Sequence, residues 1–165
     1  MDDRTKARTR TVSWKDPVTS VEAARKLSGL EHLRRIRDGM TPNPPIAELL
    51  GFSLTKVELG EAVFEFDPAE YHYNPVGTVH GGVAATLLDS AMTCAVQTTC
   101  PAGTLCTTLE FKINFVRPIV EKTGHLRAEA KLIHGGSRIA TAEARLVDGD
   151  GKIYAHATTT CLIFS

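Results

Sequence analysis

The chain has 165 residues, of which 42% are apolar and 23% are charged, as is typical of one globular domain with a buried core. Its nineteen basic and nineteen acidic side chains balance, which argues against a global attraction to nucleic acid or to a membrane surface. The sequence contains neither the roughly 18 apolar residues of a membrane-spanning helix nor the apolar core of a signal peptide. We therefore expect a cytoplasmic protein without a nucleic-acid or membrane partner.

The N-terminal 44 residues are predicted to form an arm and an amphipathic helix ahead of a main domain over residues 45–165. The first 18 residues are polar and lack periodicity, which is typical of a mobile arm. Over residues 19–38, apolar side chains recur at three-residue spacing, and this pattern predicts one helix that Gly29 interrupts weakly. A short helical turn is expected over residues 46–50.

The main domain alternates turn signals with short apolar segments, which predict six strands and one long helix. The strands are expected over residues 52–59, 62–67, 108–115, 125–133, 139–147 and 153–164, and the helix over residues 82–98.

The predicted helix is apolar almost all round, so other elements must cover it on most sides. In the third strand, Leu109, Phe111, Ile113 and Phe115 alternate with polar residues, which predicts that these four side chains share one apolar face. The last four strands are expected to form a meander. We therefore predict an α+β fold in which a curved antiparallel sheet surrounds the helix.

The long helix carries one polar stripe and begins with two glycines. The polar residues of the helix are spaced so that they lie on one face: Thr86, Asp89, Ser90, Thr93 and Gln97. A thin solvent-facing stripe is one interpretation. The glycines favour another, because they weaken a helix but let a ligand approach backbone N–H groups that lack intrahelical partners. The pattern predicts a site that polarises a carbonyl and activates water.

The spacing along this helix separates the two parts of the predicted site. Asp89 follows Gly81 by eight residues, or about 12 Å at 1.5 Å per residue. Donor and base must each lie about 3 Å from the atoms on which they act, so one carbonyl cannot be served by both groups of one helix. Two antiparallel helices across a two-fold axis would solve this problem, and we expect a site shared between subunits.

Two segments, NPVGTVHGGVAATLLDSA and TTLEFKINFVRP, resemble the hotdog-fold acyl-CoA thioesterases of the PaaI (phenylacetic acid degradation-related) type over about residues 45–164. The resemblance implies a hotdog fold, in which a curved antiparallel sheet wraps around one long central helix, with the predicted N-terminal helix as an extra element. It implies a homodimer or a dimer of dimers that hydrolyses acyl-CoA. No cofactor is implied, since CoA is part of the substrate.

The same resemblance assigns catalytic roles. The Gly81 N–H would polarise the thioester carbonyl, Asn74 would orient the substrate or water, and Asp89 would act as general base or nucleophile. Thr108 and Thr93 match threonines that position water in different branches of the family, with Thr108 the first choice.

For the substrate, the resemblance places CoA against the strand end and against a glycine-rich turn, although a solvated hairpin tip is the alternative for the turn. His80 is expected to fix its loop rather than act as a base, and it lies with Gly82 beside the substrate. Residues assigned to CoA are Phe115, Arg117, Pro118, His134, Gly135, Gly136, Ser137 and Arg138.

Several alternatives stay open. His72 and Tyr73 either line an acyl pocket or pack their loop. The scattered histidines and the four cysteines match no metal-ligand spacing. We therefore expect no metal, and we expect the cysteines to be free thiols. A non-catalytic acyl-CoA sensor would lack the carboxylate and carry a helix-turn-helix, whereas this sequence has Asp89 and one clear N-terminal helix. A hotdog dehydratase would space its acidic and histidine residues differently. The enzyme is therefore the favoured hypothesis, with its acyl group unassigned.

Overall fold

The computed structural model describes residues 6–165. One antiparallel sheet of six strands curves around a single long helix, α4, and three short helices precede the sheet. The elements are α1 (Val18–Lys26), α2 (Gly29–Arg37), α3 (Pro45–Leu50), β1 (Phe52–Glu58), β2 (Glu61–Phe66), α4 (Gly81–Gln97), β3 (Leu105–Phe115), β4 (Leu126–Gly135), β5 (Ile139–Asp148) and β6 (Ile153–Phe164).

The strand order is β1-β2-β4-β5-β6-β3. The predicted α+β hotdog class is confirmed, but the predicted four-strand meander is wrong for its first strand. β3 pairs with β6 at one edge of the sheet, and β2 takes the place beside β4. The reason is that α4 separates β2 from β3 in the sequence, crosses the inner face of the sheet and carries the chain to the opposite edge.

The core lies between α4 and the concave face of the sheet. Leu87, Leu88 and Met92 of α4 are fully buried. Most of the residues that β4, β5 and β6 turn toward them are alanines, which keep the sheet backbone close to the helix: Ala128, Ala130, Ala140, Ala142, Ala144, Ala155 and Ala157.

The single N-terminal helix predicted over residues 19–38 is two helices in the structure. Ser28 ends the connection and caps α2, because its Oγ accepts a hydrogen bond from the Glu31 N–H at 3.3 Å. Gly29 then lies so close to α4 that a Cβ atom there would be 1.8 Å from the Gln97 carbonyl oxygen. A residue without a side chain is therefore needed at position 29 where α2 docks against α4, and Leu33 and Ile36 of α2 enter the core.

The described part of the N-terminal arm, from residue 6, is held on the domain rather than free of it. Arg8 forms a salt bridge with Glu70 at 3.0 Å, and the Arg10 guanidinium lies 4.1 Å from the centre of the Tyr71 ring. Both contacts reach the 3₁₀ turn Glu70–His72, which precedes the predicted site loop. The first five residues of the predicted arm lie outside the described residues. Among residues 6–165, no helix is both long and apolar enough to cross a membrane.

Candidate active site

The N-terminus of α4 carries an unused backbone donor. His80 is the N-cap, and its Nδ1 accepts a hydrogen bond from the Gly82 N–H at 2.9 Å, so the ring proton is on Nε2. The Gly81 N–H has no hydrogen-bond partner among residues 6–165. A neutral ring that caps the helix fits the loop-fixing role expected for His80, and Gly81 keeps a donor for an incoming anion or carbonyl.

The loop before α4 is shaped by the side chain of Asn74. Its Oδ1 accepts from the N–H groups of Val76 at 3.0 Å and Thr78 at 3.2 Å, and its Nδ2 donates to the Thr78 hydroxyl at 2.9 Å. An amide nitrogen carries two hydrogens, so one remains for a ligand. Asn74 therefore builds the loop and still offers a donor.

A cleft of about 400 Å³ brings several of the predicted residues together. Asn74 and Gly81 line one side, and Phe115, Arg117 and Pro118 line the other. The Phe115 ring covers Gly81 so closely that a Cβ atom at position 81 would lie 3.1 Å from its Cζ atom. A glycine is needed there because any side chain would enter the cleft.

Tyr154 also lines this cleft, and sequence reasoning missed it. Its carbonyl accepts from the N–H groups of Val116 at 2.8 Å and Arg117 at 3.1 Å, which turns the end of β3 toward Gly81. Tyr154 is the second residue of β6, and nothing in the sequence around it indicates a place in the site. Its place in the cleft follows from the pairing of β3 with β6.

His72 supports the loop from beneath and is 3% exposed. Its Nδ1 accepts from the Ala69 N–H at 3.0 Å, and its Nε2 lies 2.9 Å from the Leu50 carbonyl, to which it donates. Burial lowers the pKa of His72 below its ordinary value. The ring is thus neutral and packed in the loop, and Tyr73 accepts from the Glu121 N–H at 2.7 Å, so both residues fit the loop-packing alternative.

A second group of predicted residues lies half-way along α4. The Thr108 hydroxyl donates to Asp89 Oδ1 at 2.7 Å, and the hydroxyls of Thr93 and Thr108 are 2.8 Å apart. Since Thr108 has one hydroxyl hydrogen and gives it to the carboxylate, Thr93 must be the donor in the second bond. The two threonines, expected as alternatives, form one directed chain from Thr93 through Thr108 to Asp89.

A β-bulge in β3 aims Thr108 at the helix. The register of β3 against β6 shifts between Thr108 and Glu110, so that Leu109 has no partner and is 56% exposed. The predicted alternation placed Leu109 on the apolar face with Phe111, and this is wrong. One extra residue reverses the pattern, so that Thr108 and Phe111 share the inner face.

Of the other residues in the polar stripe, Gln97 also contacts β3, whereas Thr86 bonds within the helix. Gln97 donates from Nε2 to the Thr104 carbonyl at 3.1 Å and accepts at Oε1 from the Cys106 N–H at 3.0 Å. The Thr86 hydroxyl donates to the Gly82 carbonyl at 2.9 Å. Asp89, Thr93 and Gln97 therefore bind β3 through their side chains, and Asp89 Oδ2 makes no hydrogen bond to residues 6–165.

The predicted CoA-binding turn lies far from the cleft within one chain. Its residues are His134 and Gly135 at the end of β4 and Gly136, Ser137 and Arg138 in the β4–β5 turn. The Arg138 carbonyl accepts a hydrogen bond from the Ile163 N–H near the end of β6. Phe115 instead pairs with Ala155 near the start of β6. Leu162, the partner of Ile139, lies seven positions beyond Ala155 along β6, or about 23 Å.

No group of three or more histidine, cysteine, aspartate or glutamate side chains in residues 6–165 is arranged to hold a metal ion. The four cysteines are free thiols. The residues of the cleft and of the Asp89 group can supply hydrogen bonds to a carbonyl and proton transfer at the Asp89 carboxylate.

Comparison with known proteins gives a consistent result. Residues 76–155 match the family model of the thioesterase superfamily. Human acyl-coenzyme A thioesterase 13 is 28% identical over 79% of this chain and 93% of its own length. The 1,4-dihydroxy-2-naphthoyl-CoA hydrolase of Listeria monocytogenes is 25% identical over 72% of this chain and 94% of its own.

Solved structures show the same likeness. A phenylacetic acid degradation-related protein of Ralstonia eutropha JMP134 is 32% identical, and the superposition has a TM-score of 0.71 over 79% of this chain and 98% of that one. A mutant form of the phenylacetic acid degradation protein PaaI of Thermus thermophilus is 30% identical with a TM-score of 0.65, over 72% and 98% of the two chains.

Proposed function

The chain belongs to the thioesterase superfamily and is a thioester hydrolase, and we propose that it cleaves acyl-CoA at a site shared between two subunits. The proposal rests on the distance between the hydrogen-bond donor at Gly81 and the base at Asp89. Asn74 and Gly81 line a cleft that does not include Asp89, and the carboxylate is about 12 Å farther along the same helix.

A single two-fold axis would bring the separated groups together. If it passes near Ala85, midway between Gly81 and Asp89, each helix N-terminus faces the carboxylate of the other subunit. The free edge of β3 supports this arrangement, because within residues 6–165 β3 pairs only with β6, and it exposes Leu109 and Phe115. The same axis would place the glycine-rich β4–β5 turn of one subunit beside the cleft of the other.

The proposed reaction uses both halves. The Gly81 N–H donates a hydrogen bond to the thioester oxygen, and together with the N-terminus of α4 it stabilises the negative charge that develops there. Asp89 Oδ2 takes a proton from water, which attacks the carbonyl carbon, while Thr108 holds Oδ1 in place. The tetrahedral intermediate collapses with loss of the CoA thiolate, which receives the proton that Asp89 took from water. The carboxylic acid then leaves as its anion.

The CoA moiety is assigned to the rim of the cleft. The Arg117 guanidinium donates to the Ile153 carbonyl, which fixes an exposed cation there for phosphate. Ser137 and Arg138 would reach the same nucleotide from the partner subunit's turn. Two of the compared proteins are named for activity on CoA thioesters, which supports CoA rather than another thiol. We further propose a cytoplasmic homodimer or dimer of dimers that needs no cofactor, with residues 1–44 as an extension of the hotdog domain over residues 45–165.

The site-sharing proposal is tested with mixed subunits. Asp89→Asn and Gly81→Leu subunits are unfolded together, refolded at equal amounts and assayed by thiol release from an acyl-CoA panel. A mixed dimer has one site with both defects and one with neither, so about a quarter of the wild-type activity should return. Each variant refolded alone is the control. No recovery in proven mixed dimers would place donor and base in one subunit and refute sharing.

Water activation is distinguished from direct attack by isotope labelling. In a single turnover in H₂¹⁸O with enzyme in excess, a general base directs the label into the carboxylic acid product. A nucleophilic Asp89 would instead carry label after hydrolysis of an acyl-enzyme anhydride. Mass spectrometry of the product and of the Asp89 peptide separates the two outcomes, and label in the peptide contradicts our assignment.

A further inference from the structure

The turn between β5 and β6 presents a lysine that the proposed reaction does not use. Lys152 is exposed, and its Nζ lies 5.9 Å from the centre of the Tyr154 ring. Tyr154 is buried and lines the same cleft as Asn74 and Gly81. The face of an aromatic ring attracts a lysine ammonium at this distance. Lys152 is therefore a cation placed against a residue that forms the wall of the cleft.

A second cation is fixed to the same short segment. The Arg117 guanidinium donates to the carbonyl of Ile153, the residue that follows Lys152. The Arg117 N–H donates to the Tyr154 carbonyl at 3.1 Å, so the backbone and the side chain of Arg117 are both held there. Neither Arg117 nor Lys152 forms a salt bridge with an acidic side chain among residues 6–165. The rim of the cleft thus holds two positive charges that no carboxylate of the described chain pairs with.

Asp148 holds this turn in place and leaves the ammonium of Lys152 unbound. The Lys152 N–H donates to Asp148 Oδ1 at 2.9 Å, and the Tyr154 hydroxyl donates to Asp148 Oδ2 at 3.1 Å. The Asp150 N–H also donates to Asp148 Oδ1, at 3.0 Å. These donors, foremost the Lys152 N–H, hold the pKa of Asp148 below its ordinary value. Both carboxylate oxygens therefore bind groups within the turn, and Lys152 Nζ is available to an anion from outside.

We propose that Lys152 joins Arg117 in binding a phosphate group of the CoA moiety, an inference that rests on the proposed function. Lys152 is not among the residues that the family resemblance assigns to CoA. The Phe115 ring covers Gly81, where the proposed reaction places the thioester, and Arg117 follows two residues later, about 7 Å along the chain. The phosphates of CoA lie beyond the pantetheine arm, so they leave the cleft past this rim. A planar guanidinium and a three-donor ammonium together suit a phosphate.

Truncated substrates separate the phosphate contact from the chemical step. One acyl group is carried by CoA and by pantetheine, which lacks every phosphate, and kcat/KM is measured for both thioesters. The ratio of the two values should fall about fivefold in Lys152→Gln, mainly through KM for acyl-CoA, and Lys152→Arg should restore most of it. Lys26→Gln, at an exposed lysine of α1, is the matched control. An equal ratio in Lys152→Gln and the wild type would overturn the proposal.

Two further measurements identify the phosphate and exclude a structural effect of the turn. The dephospho-CoA thioester lacks the 3′-phosphate, so a loss that persists with it assigns Lys152 to the diphosphate, and a loss that disappears assigns it to the 3′-phosphate. Added salt should shrink the difference between Lys152→Gln and the wild type, because it screens exposed charges. A loss of equal size for the CoA and pantetheine thioesters, unchanged by salt, would show a structural role only and overturn the proposal.

Calorimetric titration tests the phosphate contact without hydrolysis. Free CoA and pantetheine are titrated into the wild type, Lys152→Gln and Lys26→Gln. The Kd for CoA should rise about fivefold in Lys152→Gln alone, with no matching change for pantetheine. An equal Kd for CoA in all three proteins, or no binding of CoA to the wild type, would overturn the inference. If the wild type hydrolyses no thioester, the proposed function fails, and the titration still decides whether Lys152 binds phosphate.

Discussion

The cleft at the N-terminus of α4 and the group around Asp89 half-way along the helix differ in the functional groups that they contain. The cleft at its N-terminus has backbone and amide donors, a covering aromatic ring and a volume of about 400 Å³, but no carboxylate. The group half-way along has a carboxylate with one oxygen fixed by Thr108, but no donor positioned for a carbonyl oxygen. Each end lacks the component that the other holds.

Under the proposed mechanism, neither region would suffice as a site alone. A donor without a base polarises a carbonyl that nothing attacks, and a base without a donor activates water that meets no electrophile. The helix keeps the two apart by its own rigid length. Variants that damage one end should therefore leave the other end structurally intact.

The largest effect is expected for Asp89→Asn. An amide cannot take the proton from water, so turnover should fall about 10²- to 10⁴-fold, while KM changes little because the cleft is untouched. Steady-state thiol release and circular dichroism measure activity and folding. Asp67→Asn, at an exposed carboxylate bound to His125, is the control and should match the wild type. A tenfold or smaller loss in Asp89→Asn contradicts its role.

Gly81→Ala damages the other end. The new Cβ atom would lie 3.1 Å from Phe115 Cζ and would block close approach of a carbonyl to the Gly81 N–H. Turnover should fall about a hundredfold, although helix propensity favours alanine. Gly149→Ala, where a Cβ atom meets nothing within 4 Å, is the matched control. Equal activity of the two variants would argue against close approach at Gly81.

The threonine chain predicts a graded result. Thr108→Val removes a hydrogen bond to a charged group, and turnover should fall about ten- to hundredfold. Thr93→Val acts through Thr108 and should cost about three- to tenfold, with Thr108→Ser restoring most of the rate. Thr107→Val changes an exposed neighbour and serves as the control. An effect of Thr93→Val as large as that of Thr108→Val would contradict the direction of the chain.

His72, which lies beneath the cleft loop, makes the stability of the fold depend on pH. Because burial lowers its folded pKa, the unfolded chain takes up a proton near pH 6.5 that the folded chain does not, and stability is lost as pH falls below that value. The loss is at most about 1.4 kcal/mol per pH unit for one such group. His72→Gln should flatten the dependence of Tm on pH between 5 and 6.5. An unchanged slope in His72→Gln would contradict this role of His72.

The smallest effect is expected outside both ends, at Arg10. Arg10→Ala removes the cation–π contact with Tyr71, which should lower Tm by about 2–4 °C and leave turnover unchanged. Differential scanning calorimetry and the thiol-release assay measure the two quantities. Arg25→Ala, on the exposed side of α1, is the control. A loss of turnover in Arg10→Ala would show that the arm takes part in the cleft.

Much of this arrangement could be predicted from the sequence. Alternating apolar residues locate β4, β5 and β6 within a few residues, and the apolar run after Gly82 locates α4. The spacing of Gly81 and Asp89 also predicts their separation, because the rise of an α-helix is fixed. These features depend on local periodicity, which one sequence displays directly.

Other features depend on contacts between distant segments. The need for glycine at position 29 comes from its approach to the Gln97 carbonyl, which no local pattern records. The bulge at Leu109 reverses the inner face of β3, and regular alternation hides it. Without the bulge, Thr108 would point outward, and the link between the two threonines could not be foreseen.

Gln97 sets a limit on how long an intersubunit ladder can be. Its amide binds the Thr104 carbonyl and the Cys106 N–H, as the backbone of an adjacent strand would. These backbone groups at the free edge of β3 therefore already have hydrogen-bond partners. A strand from a second copy can add only beyond Cys106, over residues 107–115. A symmetric pairing confined to that span is centred near Phe111, so one glutamine side chain helps to fix the register in which two copies could join.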